Sequence, residues 1–236
     1  MLTKADEIKR VFKDLADPVI AEHSRHFFKT GEGEYGEGDR FHGIRVPVLR
    51  KYARKYQNIS LAEVRQLLAS PFHEERFFAL LALIRKFEKG DSTVRKKVYT
   101  LYLDNLKYVD NWDLVDISAP YIVGPWLEMR DKEVLYRLAQ SEVLWERRVA
   151  ILSTFHCIRK NSFHDALSIS ELLIHDSEEL IHKAVGWGLR EIGKRNVTVE
   201  KAFLGKHYRD MPRTMLRYAI ERFTEEERKK YLQGTV

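Results

Sequence analysis

The sequence predicts an all-α protein in which helix pairs stack into a superhelix. Three observations support this fold class. Apolar residues recur at helical spacing along most of the chain. The 236 residues include only six prolines and twelve glycines, too few turn-forming residues for a sandwich or barrel of many short strands. Segments of similar pattern also recur about every 35 residues. We therefore expect one repeat domain, residues 1–236, with a concave basic groove.

Five segments carry the repeat, and they begin 35, 36, 35 and 35 residues apart. Their first residues are Ser70, Asn105, Ser141, Asp176 and Met211, and four of these can cap a helix. Second helices are predicted between them at 93–103, 132–139, 163–174 and 199–208, and upstream helices at 3–16, 18–29, 47–57 and 60–69. Each unit is thus a helix pair in the size range of HEAT-like repeats, whose neighbours stack to bury faces that no unit buries alone.

The repeat register predicts which side chains share a surface, because equivalent positions of a solenoid line up along one face. The sixth position after each opening residue holds Arg76, Asn111, Arg147, His182 and Arg217; the seventh holds Phe77, Trp112, Arg148 and Lys183. Asp116 and Trp187 follow one helical turn after Trp112 and Lys183. We expect two tryptophans, one carboxylate and several cations to converge on one groove.

Structural interpretations of the same residues stay open at this point. Large aromatic residues are usually buried, so Trp112 and Trp187 could belong to the core, as we expect for Trp126 and Trp145. Asp116 leaves an apolar helix segment and could pair with a cation such as Arg148. The small residues around Trp187 indicate a close approach by another group. Asp110 is expected to cap the helix that follows it.

Charge and cysteine content narrow the function classes. The formal net charge is +6 and the pI about 9.2, which favours a polyanionic partner without identifying it. The single cysteine, Cys157, lies in an apolar run and is expected to be a buried, inert thiol, so a disulfide framework is excluded. No histidine pair has the spacing of a metal site, and the N-terminus lacks a signal-peptide core. We expect a cytoplasmic protein that does not enter membranes.

Residues 31–39 contain a GxGxxG string, but no predicted strand precedes it and its four carboxylates would repel a phosphate. A nucleotide-binding loop is therefore rejected. The segment is predicted to be a flexible loop ahead of the helix that opens near Pro47.

Three segments together resemble the AlkD-type DNA alkylation repair glycosylases. They are Trp112-Asp-Leu-Val-Asp116, Trp145-Glu-Arg-Arg148 with the Val-Ala-Ile that follows, and Lys183-Ala-Val-Gly-Trp187 with Leu189-Arg-Glu191. The resemblance runs nearly end to end, and the three segments at matching separations are far more specific than any one of them.

The resemblance implies roles for individual residues. Asp116 matches the catalytic aspartate, and Trp112 and Trp187 match the aromatic residues that embrace the backbone of the damaged nucleotide. The resemblance implies DNA contacts by Arg148, Lys183 and Arg190, and helix rotation leaves open whether Arg147 or Arg148 faces the groove. The repeat register adds Arg76 as a further expected DNA contact. Residues 30–46 look longer than the corresponding connection in the family, and Arg45 is the DNA contact expected there.

The resemblance also implies a reaction: hydrolysis of the N-glycosidic bond of positively charged alkylpurines, such as 3-methyladenine and 7-methylguanine, in double-stranded DNA. It implies a monomer that needs neither a metal nor an organic cofactor, and that works through the sugar and backbone instead of extruding the base. Two other functions remain open. One is a non-catalytic repeat protein that binds damaged or branched DNA, and the other is a protein-interaction module with an incidental basic surface.

Overall fold

The computed structural model describes residues 3–236, and within this range all regular secondary structure is helical apart from one isolated bridge between Arg40 and Phe72. The α-helices are α1 (Lys4–Asp14), α2 (Pro18–Phe27), α3 (Val46–Lys55), α4 (Leu61–Leu68), α5 (His73–Lys89), α6 (Ser92–Asp104), α7 (Trp112–Leu127), α8 (Glu133–Ala139), α9 (Leu144–Ser153), α10 (Phe155–Ile158), α11 (His164–Leu172), α12 (Glu179–Gly193), α13 (Val197–His207), α14 (Arg213–Ala219) and α15 (Glu225–Gln233). Short 3-10 helices span Leu106–Tyr108 and Ile220–Arg222. The predicted all-α repeat fold is confirmed.

Polar residues at the helix starts explain several of these boundaries. Thr3, Ser60 and Thr224 each form a capping box with the acidic residue three positions later, so two backbone amides at each start obtain partners. Asp17 caps α2, where Pro18 at the first helical position has no N–H to satisfy. Local sequence chemistry therefore fixes where these helices begin.

Two helical features differ from the prediction. The repeat segment opening at Ser141 was expected to carry one long helix, but it divides into α9 and α10 at Thr154. Just before that division, the Ser153 hydroxyl donates to the Val149 carbonyl, a contact that competes with regular helix geometry. Helix α15, near the C-terminus, had no counterpart among the predicted helices.

The chain divides into two compact units, one ending at Ser118 and the other beginning at Ala119. In the first unit, α5 packs against α3, α4 and α6. Phe12 and Phe78 meet edge to face in its core, with ring centroids 5.6 Å apart. The single repeat domain stays a prediction.

In the second unit, α12 packs against α9, α13 and α14. Its contact with α14 is close because Gly186 has no side chain: a Cβ atom there would lie 2.4 Å from the Met215 carbonyl oxygen. Among the described residues, no helix has the length and apolar character needed to cross a bilayer.

Candidate functional site

The first two turns of α7 present two of the predicted site residues to solvent. At 100° per residue, Trp112, Asp113, Asp116 and Ile117 occupy one arc of the helix, and all four are partly exposed. Leu114, Val115 and Ser118 occupy the opposite arc and are fully buried. Trp112 and Asp116 therefore lie one turn apart on an accessible face, as the spacing predicted.

Aromatic side chains from the end of α2 surround Trp112. Phe28 stacks on the indole with ring centroids 5.5 Å apart and planes inclined by 27°. Phe27 meets it edge-on at 5.9 Å and is itself 56% exposed. Sequence reasoning missed both phenylalanines, because nothing local to residues 27 and 28 shows which distant helix they reach.

A buried ionic cluster lies beside Trp112. His73 Nε2 is 2.9 Å from an Asp113 carboxylate oxygen, and His73 Nδ1 is 2.8 Å from an oxygen of Asp39. Burial alone lowers the pKa of His73, but the charges of Asp113 and Asp39 and their hydrogen bonds outweigh burial and raise the pKa to about 9. His73 is therefore an imidazolium that joins residues 31–39, which we call the Gly/Glu-rich loop, to α7.

Arg76 belongs to the same cluster and is only 4% exposed. Its guanidinium donates to Asp39 at 2.8 Å, contacts Asp110 at 3.2 Å and donates to the Ser70 carbonyl at 3.1 Å. A DNA contact by Arg76 would require breaking these bonds, so its geometry gives it a structural role. Asp110 likewise faces Arg76, and it is the Asn111 side chain that accepts from the Trp112 amide at 2.8 Å.

The sixth position of the repeat has a shared structural role in three units. Arg76, Arg147 and His182 each hydrogen-bond the carbonyl of the residue that opens their own repeat, at 3.1, 2.9 and 2.5 Å. We call this contact the repeat latch. Arg147 also binds both carboxylate oxygens of Asp176, at 2.6 and 3.2 Å. These contacts fasten each helix to the loop before it, and they occupy the guanidinium groups of Arg76 and Arg147, which were expected to contact DNA.

Trp187, in the second unit, is partly exposed. It packs edge to face on Phe155 at 4.7 Å, and its indole N–H donates to Glu191 at 3.1 Å. The glycines that flank Trp187 do allow a close approach, but by other parts of this protein: Gly186 faces α14 and Gly188 faces Phe155.

The remaining residues that were predicted to contact DNA differ in their exposure and in their partners. Arg148 is 5% exposed and donates to the Leu180 carbonyl at 2.5 Å. Lys183 pairs with Glu179 at 3.1 Å, and Arg190 pairs with Glu221. Arg45 is exposed just before α3.

The predicted site residues fall in both units. Trp112 and Asp116 lie together in the first unit with Arg45 and Arg76, whereas Trp187 and the other predicted cations lie in the second. Their convergence on one groove stays a prediction. No group of side chains suited to a metal ion occurs among residues 3–236, and burial raises the pKa of the Cys157 thiol, which agrees with an inert cysteine.

The helix pairs define a helical-repeat protein, and its candidate site in the first unit is the partly exposed Trp112 and Asp116 at the start of α7. The chain belongs to the DNA alkylation repair enzyme family, whose model matches residues 8–223. A role in DNA repair follows from this membership.

Solved structures show the same fold at low sequence identity. A predicted DNA alkylation repair enzyme from Enterococcus faecalis is 16% identical, with a TM-score of 0.67 over 89% of this chain and 97% of that one. AlkD2 from Streptococcus mutans is 16% identical, with a TM-score of 0.56 over 77% and 91%. The protein smu.31 from Streptococcus mutans UA159 is 17% identical, with a TM-score of 0.52 over 94% and 99%. Among curated protein sequences, none matches this chain.

Proposed function

We propose that this protein is a monofunctional DNA glycosylase that hydrolyses the N-glycosidic bond of cationic alkylpurines and leaves an abasic site. The observation that carries the proposal is the pairing of Trp112 with Asp116, one turn apart on the exposed arc of α7. Membership of the DNA alkylation repair family supports a DNA substrate. The +6 net charge is compatible with a polyanion.

The chemistry needs few protein groups. A purine alkylated at N3 or N7 already carries a positive charge, so it leaves as a neutral base without a strong acid. Cleavage of the bond shifts positive charge onto the sugar, as in other glycosidic hydrolyses with oxocarbenium-like transition states. The ionised Asp116 carboxylate stabilises that charge and orients the water that attacks the anomeric carbon.

Trp112 acts on the same charge. An indole face attracts a cation by about 0.5 to 2 kcal/mol, depending on desolvation. Trp112 is held for this role by Phe28, which stacks on it. These modest contributions suffice only where the lesion supplies much of the reactivity, so unmodified purines are spared.

The proposal is tested by release of 7-methylguanine from methylated duplex DNA, measured under single-turnover conditions. Asp116→Asn should lower the rate by about 100- to 1000-fold, the usual loss when an electrostatic transition-state contact is removed. The matched control is Asp104→Asn, which alters an exposed carboxylate on α6 of the same unit and should leave the rate unchanged.

Two results would contradict the proposal. Equal rates for native protein and Asp116→Asn would remove Asp116 from the mechanism. Tight, salt-sensitive binding of methylated DNA by native protein without any base release would replace the glycosylase with a non-catalytic DNA-binding protein.

A further inference from the structure

The first turn of α7 is held by a side chain from another helix. Asp113, one residue after Trp112, accepts from His73 at the start of α5. The other nitrogen of the same ring faces Asp39. We call Asp39, His73 and Asp113 the histidine clamp, because one imidazolium joins two carboxylates 74 positions apart in sequence.

The clamp is largely buried. The His73 side chain is 4% exposed, and those of Asp39 and Asp113 are 5% and 13% exposed. Phe28 and Phe41 lie over the imidazole, with ring centroids 4.7 and 4.9 Å away. Charge-assisted hydrogen bonds in such surroundings are stronger than in water, so the geometry of the clamp is stiff.

Asp39 is itself fixed, which makes it an anchor for the clamp. Its second oxygen accepts from Arg76 at 2.8 Å. The adjoining backbone is bound to α5: the His73 amide donates to the Arg40 carbonyl at 2.8 Å, and the Glu74 carboxylate accepts from the amides of residues 42, 43 and 44. The end of the Gly/Glu-rich loop is therefore a rigid support and not a flexible segment.

The clamp reaches Trp112 by two routes. Through the chain, it fixes Asp113, the neighbour of Trp112 in the first turn of α7. Through packing, His73 contacts Phe28, and Phe28 stacks on the Trp112 indole. Loss of the clamp removes both constraints on the indole.

We propose that His73 and Asp39 are positioning residues that orient Trp112 and the first turn of α7 for base release. This inference rests on the proposed glycosylase function, since it assigns a role in that reaction. A misplacement of about 1 Å in a reacting group can lower a rate by about 100-fold, so orientation alone has a measurable effect.

The test combines a spectroscopic and a kinetic readout on the full chain. The protein is labelled with 5-fluorotryptophan, which gives one fluorine resonance for each of its four tryptophans. Trp112→Phe identifies the resonance of Trp112. His73→Gln removes the cation, and Asp39→Asn is a milder variant that keeps an oxygen for Arg76 and serves if His73→Gln fails to fold.

We expect both variants to shift or broaden the Trp112 resonance and to leave the other three resonances in place. The single-turnover rate of 7-methylguanine release should fall about 10- to 100-fold at saturating enzyme, while the enzyme concentration for half-maximal rate changes less than about 3-fold. His42→Gln is the matched control, because His42 is a buried histidine that is bonded to Glu75 at 3.1 Å and packs its ring on Phe12 and Phe72. This control should leave the Trp112 resonance and the rate unchanged.

The outcomes separate this inference from the proposed function. An unchanged Trp112 resonance in a folded variant would overturn the positioning role, whether or not native protein releases base. A shifted resonance with an unchanged rate would also overturn it. If native protein releases no base, the proposed function fails, and with it the role assigned to the clamp in base release.

Discussion

Because His73 is charged in the folded protein, we predict that the free energy of unfolding depends on pH in a specific way. The pKa of this histidine rises from 6.5 to about 9 on folding, and each pH unit corresponds to about 1.4 kcal/mol, so its protonation contributes about 3 kcal/mol to the free energy of unfolding. The facing charged groups are Asp39, Asp113, Arg76 and Asp110. A raised pKa means that this contribution is complete below about pH 6.5 and is lost as pH rises through 9.

The measurement is urea unfolding of native protein and His73→Gln at several pH values from 6 to 10. The difference between their unfolding free energies should shrink by about 3 kcal/mol across that range. Leu83→Ala, which removes buried apolar contacts from α5 without changing an ionisable group, should destabilise by a constant amount at every pH. A pH-independent difference for His73→Gln would refute a charged His73 in the folded state.

Three further predictions concern the second unit. Gly186→Ala places a methyl group against the backbone of α14 and should cost about 1 to 3 kcal/mol, measured as a lower melting temperature. Arg147→Ala leaves the Asp176 carboxylate, whose side chain is only 5% exposed, without its cation, and should lower the unfolding free energy by about 3 kcal/mol. Burial raises the pKa of Glu200 from 4.5 to about 8, so the stability of native protein falls as pH rises from about 4.5 to about 8. Between pH 5 and pH 9, Glu200→Gln should therefore gain about 4 kcal/mol relative to native protein in urea unfolding.

The helices could be predicted from sequence because their signals are local. The predicted helix 93–103 corresponds to α6 at Ser92–Asp104, and the predicted 132–139 corresponds to α8 at Glu133–Ala139. Apolar periodicity and capping residues determine these elements within a few positions. The repeat spacing then identified Trp112 and Asp116 as neighbours on one face, which the structure shows.

The roles of the cations could not be predicted in the same way. Repeat register shows that Arg76 and Arg147 occupy equivalent positions, but it does not show their partners. Asp39 lies 37 residues before Arg76, and Asp176 lies 29 residues after Arg147. An arginine paired with such a distant carboxylate has the same sequence signature as one that faces solvent.

The end of the Gly/Glu-rich loop differs from the prediction for a related reason. Its glycines and carboxylates suggested flexibility, yet the side chain of its last residue, Asp39, is 5% exposed and bonded to both His73 and Arg76. Gly43, a few residues on, has φ +84°, and a Cβ atom there would lie 2.1 Å from the Asp17 carbonyl oxygen, so this turn requires glycine. The sequence composition indicates where a turn forms, but it does not show which distant residues the turn holds in place.

The start of α5 has a consequence for how the first unit folds. Four consecutive ionisable residues there, His73 to Arg76, are each no more than 4% exposed. Their partners come from residues 39–44 on one side of the sequence and residues 110–113 on the other. Glu74 and Glu75 are bonded to residues 42–44, but His73 and Arg76 gain their contacts with Asp113 and Asp110 only after residue 113 has emerged from the ribosome. We therefore expect the first unit to reach its full stability only after the start of α7 has been synthesised.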